Sequence, residues 1–221
     1  MPVAAIAERC RARGARLLVD GAHGPGLVDL DLPTFGADWY VGNLHKWLCA
    51  PKGAGFLWAR AERQADLHPV VISHRLGEGF TAEFDLVGTR DVSAWLAAPA
   101  AIAFHRALGG AVLRARNRRL AIAGAHRLAG RLATETGAPD PLFAGMATVR
   151  LPGAPTRERA EALKAILWRE HRIETQIQPF AGALWLRLSI QAYNDLDQVE
   201  RLGEALVPLV GGAVAGRQAS R

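Results

Sequence analysis

Two charged residues stand in unusual company. Asp20 ends the apolar run Leu17-Leu18-Val19 and opens Asp20-Gly21-Ala22-His23-Gly24-Pro25-Gly26, while Lys46 closes Gly42-Asn43-Leu44-His45-Lys46 after a second apolar run. A lysine amine can serve as a nucleophile or a base, and a carboxylate as an acceptor or counter-charge. The pair could equally be a plain salt bridge. A histidine beside each, and glycine-rich backbone around both, points instead to a ligand site. Further along, Arg187 falls within Leu184-Trp185-Leu186-Arg187-Leu188-Ser189-Ile190, on the face opposite the Leu/Ile stripe. A guanidinium there either grips a carboxylate through two hydrogen bonds or lies on a solvated face.

The segments that must position these groups read as alternating helix and strand. Val3, Ile6 and Cys10 recur at helical spacing, with Pro2 suited to a first turn and Gly14 to a stop. Leu17 to Val19 reads as a buried strand, Leu32 to Phe35 as a short helical piece, and Asp38 to Val41 and Gly55 to Trp58 as further strands. That rhythm is an α/β unit with a mainly parallel sheet, which holds its ligands beyond the carboxyl ends of its strands, where Asp20 and Lys46 fall. Arg75 to Arg90, with Gly77, Gly79 and Gly88, reads as loop. Two helices follow, about Ser93 to Leu108 and Ala111 to Thr136, then a Pro/Gly-containing connection from Gly137 to Gly145. The rest is α+β in character. It holds a strand at Thr148 to Leu151, a helix capped by Thr156, an alternating strand at Leu184 to Ile190, and a last helix striped by Val199, Leu202, Leu206 and Leu209. The expected division is 1–110 as an α/β domain, 111–211 as a small α+β domain, and 212–221 as a frayed tail.

Composition narrows the class. With 221 residues, 50% hydrophobic and 22% charged, the chain is neither disordered nor a disulfide scaffold. Cys10 and Cys49 read as buried small residues of a reducing compartment, and no signal peptide or membrane span opens the chain, so a cytoplasmic location is expected. The formal charge of +6 and pI near 10.1 raise nucleic acid as a partner. Arg114, Arg116, Arg118, Arg119, Arg127 and Arg131, however, fall in one Ala/Leu-rich segment without interleaved aromatics and nearly without acidic partners. That reads as a solvated or interface helix, with neither nucleic acid nor membrane as partner.

A resemblance makes the site specific. Leu18-Val19-Asp20-Gly21-Ala22-His23, Gly36-Ala37-Asp38-Trp39-Tyr40-Val41-Gly42-Asn43-Leu44-His45-Lys46-Trp47 and Pro51-Lys52-Gly53-Ala54-Gly55 resemble the class V aminotransferase family. Within it they resemble the isopenicillin N epimerase-like branch. Gly88-Thr89-Arg90-Asp91 and the segment Trp185 to Asn194 continue the likeness across nearly the whole chain. The resemblance implies the type I fold of pyridoxal-phosphate enzymes, a homodimer with its site at the subunit interface, and an amino-acid substrate. It implies Lys46 as the Schiff-base lysine for pyridoxal 5'-phosphate and Asp20 as partner of the pyridine nitrogen. His23 would lie against the ring or its phenolic oxygen. His45 would contact the phosphate, or be a structural histidine. Gly88 and Thr89 would reach the phosphate of the neighbouring subunit, or form an ordinary turn. Arg90 could bind phosphate, substrate or Asp91, and Arg187 would bind the substrate carboxylate.

Desulfurases of this fold need a nucleophilic cysteine before the C-terminal strand. The stretch Ile173 to Gly182, read as loop, has none. Transamination, racemisation or epimerisation, and elimination remain. The family's chains begin well before the residue matching Met1, so the upstream part of the large domain is expected to be missing. Met1 would then be an internal start or the edge of a fragment. Two readings follow: a pyridoxal-phosphate enzyme active within a longer product, or a truncated, inactive remnant that at most dimerises.

Overall fold

The computed structural model describes residues 1–211, and the expected tail, 212–221, lies outside the described residues. The chain divides into two units, Met1–Ala111 and the residues from Val112 onward.

In the first unit, α1 (Val3–Ala12) buries Ala7 and stops where Gly14 takes φ +65°, letting the Gly14 and Ala15 amides reach the Arg11 and Cys10 carbonyls. The chain then enters β1 (Leu18–Asp20), and after a 3-10 turn at Leu32–Phe35 it forms β2 (Trp39–Asn43). The two strands pair in parallel, with Leu18 opposite Trp39 and Asp20 opposite Val41. Their carboxyl ends, carrying Asp20 and the approach to Lys46, therefore share one edge of the sheet.

The third strand departs from the parallel expectation. β3 (Gly55–Ala59) runs antiparallel to β2, with Asn43 opposite Gly55. The stretch between them holds no crossover helix to carry the chain back to the start of the sheet. Strand β1 is also not buried as expected. It sits at the edge of the order β1-β2-β3, paired only with β2 among the described residues, and Leu18 is 59% exposed.

Arg75 to Arg90 is not all loop. It contains α2 (Phe80–Asp85), where Phe80 and Phe84 meet one turn apart and buried Glu83 accepts from His68 and the Gly77 amide. The flanking glycines hide that single turn. Next, the expected helix from Ser93 is two helices, α3 (Ser93–Leu96) and α4 (Ala98–Ala107), because Pro99 lacks an N–H and belongs in a first turn.

The second unit opens with α5 (Ala111–Arg131), which ends before Thr136 because Ala133 turns left-handed at φ +50°. There follow β4 (Met146–Leu151), α6 (Arg157–His171), β5 (Gln176–Phe180), β6 (Ala183–Ser189) and α7 (Leu196–Gly211). Thr156 caps α6 by accepting the Arg159 amide at 3.2 Å. The sheet is antiparallel in the order β4-β6-β5. Its inward residues, among them Val149, Ile177, Leu184, Leu186 and Leu188, form one core with the buried stripes of α5, α6 and α7. Strand β5 corrects the expected loop at Ile173 to Gly182. It lies at the sheet edge, where Pro179 is tolerated, and Gln176 and Gln178 face away from the core, so the sequence carries almost no strand signal.

The arginines of α5 are not short of partners. Arg127 and Arg131 pair with Glu200, while Arg116 and Arg118 donate to carbonyls of Gln191, Asn194, Asp140 and Phe143. Those partners are distant in sequence, which is why the helix looked unpaired. Among the described residues no single helix is long and apolar enough to cross a membrane.

Candidate active site

The loop after β1 is built on glycines that only close packing explains. A Cβ on Gly21 or Gly24 would fall about 2 Å from the Tyr40 ring or hydroxyl, and Tyr40 Oη donates to the Gly21 carbonyl at 3.1 Å. Gly26 holds φ +81° with its Cα against the Trp47 backbone, where a Cβ would lie 2.8 Å from the carbonyl carbon. Its own carbonyl accepts from Nε2 of buried His105 on α4 at 3.1 Å. The 21–26 loop is thus clamped between β2, the Trp47 turn and α4.

This clamp fixes His23 in front of Lys46. Lys46 Nζ lies 3.5 Å from His23 Nε2, and Trp47 Nε1 donates to His23 Nδ1 at 3.1 Å. Lys46 is half-buried and forms no ion pair, with Asp20 or any other residue, among the described residues; the plain salt bridge is therefore absent. The Asp20 carboxylate is exposed and accepts the Ala22 amide at 3.1 Å through Oδ1. It stands near enough to Tyr40 to add to burial in raising that phenol above its usual range. His45 directs Nδ1 to the Ala54 carbonyl at 3.3 Å.

Not every expected residue joins this group. Gly88 and Thr89 are exposed; Gly88 takes φ +113° with open space around it. Arg90 stacks its guanidinium 4.5 Å over the Trp95 ring, and Asp91 instead accepts the Ser93 amide at 2.8 Å. Cys49 is exposed rather than buried, and Cys10 only half-buried. Cys49 occupies a left-handed corner at φ +61° in the turn that brings its amide back to the Lys46 carbonyl, and this turn carries its side chain outward.

Arg187 belongs to the second unit. It lies on the outer face of β6, half-buried, and lines a cavity of about 400 Å³ with Arg172, Ser189, Asn194 and Arg201 among its walls. Its Nε is buried without a hydrogen-bond partner. A guanidinium donor withdrawn from water and left unmatched is a place for an anion's oxygens.

Tyr40, Trp47 and His105 support the site but were not singled out from the sequence. The spacing of Gly21, Gly24 and Gly26 is a trace of the bulky neighbours that press on them. His105, 79 residues from its acceptor, leaves no local signal.

Comparison with known proteins follows the same lines. The family model for aminotransferase class-V matches residues 1–202. The isopenicillin N epimerase of Streptomyces clavuligerus is 38% identical over 229 residues, covering 96% of this chain and 57% of its own length. A probable chloroplastic L-cysteine desulfhydrase of Arabidopsis thaliana is 34% identical, over 95% of this chain and 48% of its own. Among solved structures, the cystine C-S lyase C-DES, in complex with its reaction product cysteine persulfide, superposes with a TM-score of 0.75 at 22% identity, covering 93% of this chain and 56% of that one. The apo cysteine desulfurase of Thermococcus onnurineus NA1 gives 0.74 at 20% identity, covering 95% and 56%. The chain spans about half the length of the curated relatives it matches.

Proposed function

The chain belongs to the aminotransferase class-V family, and from that premise we propose that it forms part of a pyridoxal-phosphate enzyme acting on an amino acid, with Lys46 as the lysine that carries the cofactor. The observation that carries this reading is the Lys46 amine, in no ion pair among the described residues, facing His23 at the same sheet edge as Asp20.

The residues present fit the cofactor at its aldehyde and pyridine ends. Lys46 supplies an amine free of ion pairs, and Asp20 a carboxylate with Oδ2 uncommitted. When bound, pyridoxal phosphate supplies an electron sink for the pair left at the substrate α-carbon when a bond there breaks. Asp20 would hold the proton on the pyridine nitrogen that makes the sink effective. Lys46 Nζ would carry the cofactor's aldehyde and would serve as the base for the substrate's α-proton. His23 would lie against the ring or its phenolic oxygen, and His45 would contact the phosphate.

Arg187 holds the substrate carboxylate, which its unmatched Nε favours. Gly88 and Thr89 offer an amide and a hydroxyl to the phosphate bound by a second subunit, in a homodimer. Transamination, racemisation or epimerisation, and elimination share the first proton abstraction and differ in where protons go next.

The phosphate side supports a second reading, an inactive chain that at most dimerises, because within the first unit His45 is the one proposed phosphate contact placed beside Lys46. Absorbance after desalting separates the two. Mixed with excess cofactor, the 221-residue chain should show a band to the red of free cofactor's own absorbance that Lys46→Ala abolishes, and desalting should remove most of it. A band equal in both proteins would overturn the Lys46 assignment. A band persisting at one cofactor per chain would show that His45 and the ring contacts suffice.

A further inference from the structure

We propose that Trp47 is a positioning residue that locks His23 in a single tautomer, with its proton on Nε2, so that the imidazole turns an N–H toward Lys46. The use of that N–H rests on the assignment of Lys46 above; the tautomer is argued from the Trp47 contact. An indole nitrogen donates and cannot accept. Because Trp47 Nε1 lies 3.1 Å from His23 Nδ1, Nδ1 must present its lone pair, and a neutral ring then carries its hydrogen on Nε2. A doubly protonated ring would set one N–H against another at this contact.

Both ends of the bond are braced. Trp47 is only 8% exposed, with Gly26 packed against its backbone and His105 holding the Gly26 carbonyl. The His23 loop is pinned by Tyr40 on Gly21. The bond is thus held by packing on each side. Its consequence falls on the 3.5 Å contact between His23 Nε2 and Lys46 Nζ. An Nε2–H there can donate to Lys46 only when its amine is uncharged, the form that attacks an aldehyde, whereas the other tautomer would offer a lone pair to an ammonium N–H. With cofactor in place, the same N–H is available to a phenolic oxygen.

The test is 15N NMR of the full chain labelled at its histidines and recorded without cofactor, with His23 assigned by its loss in His23→Gln. His23 should show an unprotonated Nδ1 and a protonated Nε2. Trp47→Phe, which keeps a ring in place but removes the N–H, should shift His23 to a mixture of tautomers while the other six histidines stay as they were. A proton on Nδ1 in the wild type would overturn the proposal, as would an unchanged His23 in folded Trp47→Phe. If that variant does not fold, the wild-type spectrum decides alone. Because no cofactor is present, a negative result leaves the Lys46 assignment to its own labelling experiment.

Discussion

Tyr40 on β2 reaches across to β1's loop and donates its hydroxyl hydrogen to the carbonyl of Gly21, 3.1 Å away. The contact sets how close the Asp20–Gly26 loop can come to the sheet, and hence where His23 stands relative to Lys46.

Gly21→Ala should therefore destabilise the first unit. The new Cβ would fall 1.9 Å from Tyr40 Cζ, and forcing the ring aside is overpacking, typically worth about 1–3 kcal/mol. Tyr40→Phe removes only the hydrogen bond and should cost about 0.5–1.5 kcal/mol. Urea unfolding of the two variants checks the order. A Gly21→Ala protein as stable as wild type would mean that the loop does not pack as described.

Asp38 gives the fold a specific pH response. Burial pushes its carboxyl up, but hydrogen bonds from Arg63 and the Leu17 amide outweigh burial and hold it below the usual carboxylate range. A lowered folded value means that the stabilisation is complete above the unfolded aspartate value, about 3.9, and is lost as pH falls through the folded one. Asp38→Ala leaves the Leu17 amide without its acceptor and should cost about 1–2 kcal/mol at neutral pH. The gap between variant and wild type should narrow as pH drops below about 4. Thermal melts from pH 7 to pH 3 measure it, and a gap that widened on acidification would contradict the sign.

Much of this was legible in the sequence, and the exceptions have physical causes. The strands around Asp20 and Lys46 were readable because apolar runs end in glycine-rich loops there, and Thr156 signalled its cap through local chemistry. Strand β5 was not, because an edge strand carrying Pro179 and outward glutamines has little apolar pattern. The direction of β3 escaped because periodicity does not report strand polarity. The partners of Arg116 and Arg118 escaped because their carbonyl acceptors lie far along the chain. In the candidate site, residue types and neighbours drew attention to Asp20, His23 and Lys46, while the bracing by Tyr40, Trp47 and His105 needed coordinates.

Arg187 should act on substrate and not on cofactor. In a catalytically active form containing this chain, Arg187→Ala should raise KM for the amino acid about ten- to a hundredfold, the loss of one charge-assisted bidentate contact of about 1.5–3 kcal/mol. The cofactor's absorbance should stay as it was. Unchanged kinetics would return Arg187 to a solvated face of β6.

The central claim is that Lys46 carries the cofactor. The chain has only three lysines, Lys46, Lys52 and Lys164, so the position of a covalent label is readily resolved. The chain is incubated with excess pyridoxal phosphate, reduced with borohydride, digested and mapped by mass spectrometry. The account predicts the pyridoxyl group on the Lys46 peptide, well above Lys52 and Lys164. A label on Lys52 or Lys164 instead, or spread evenly over all three, would contradict it.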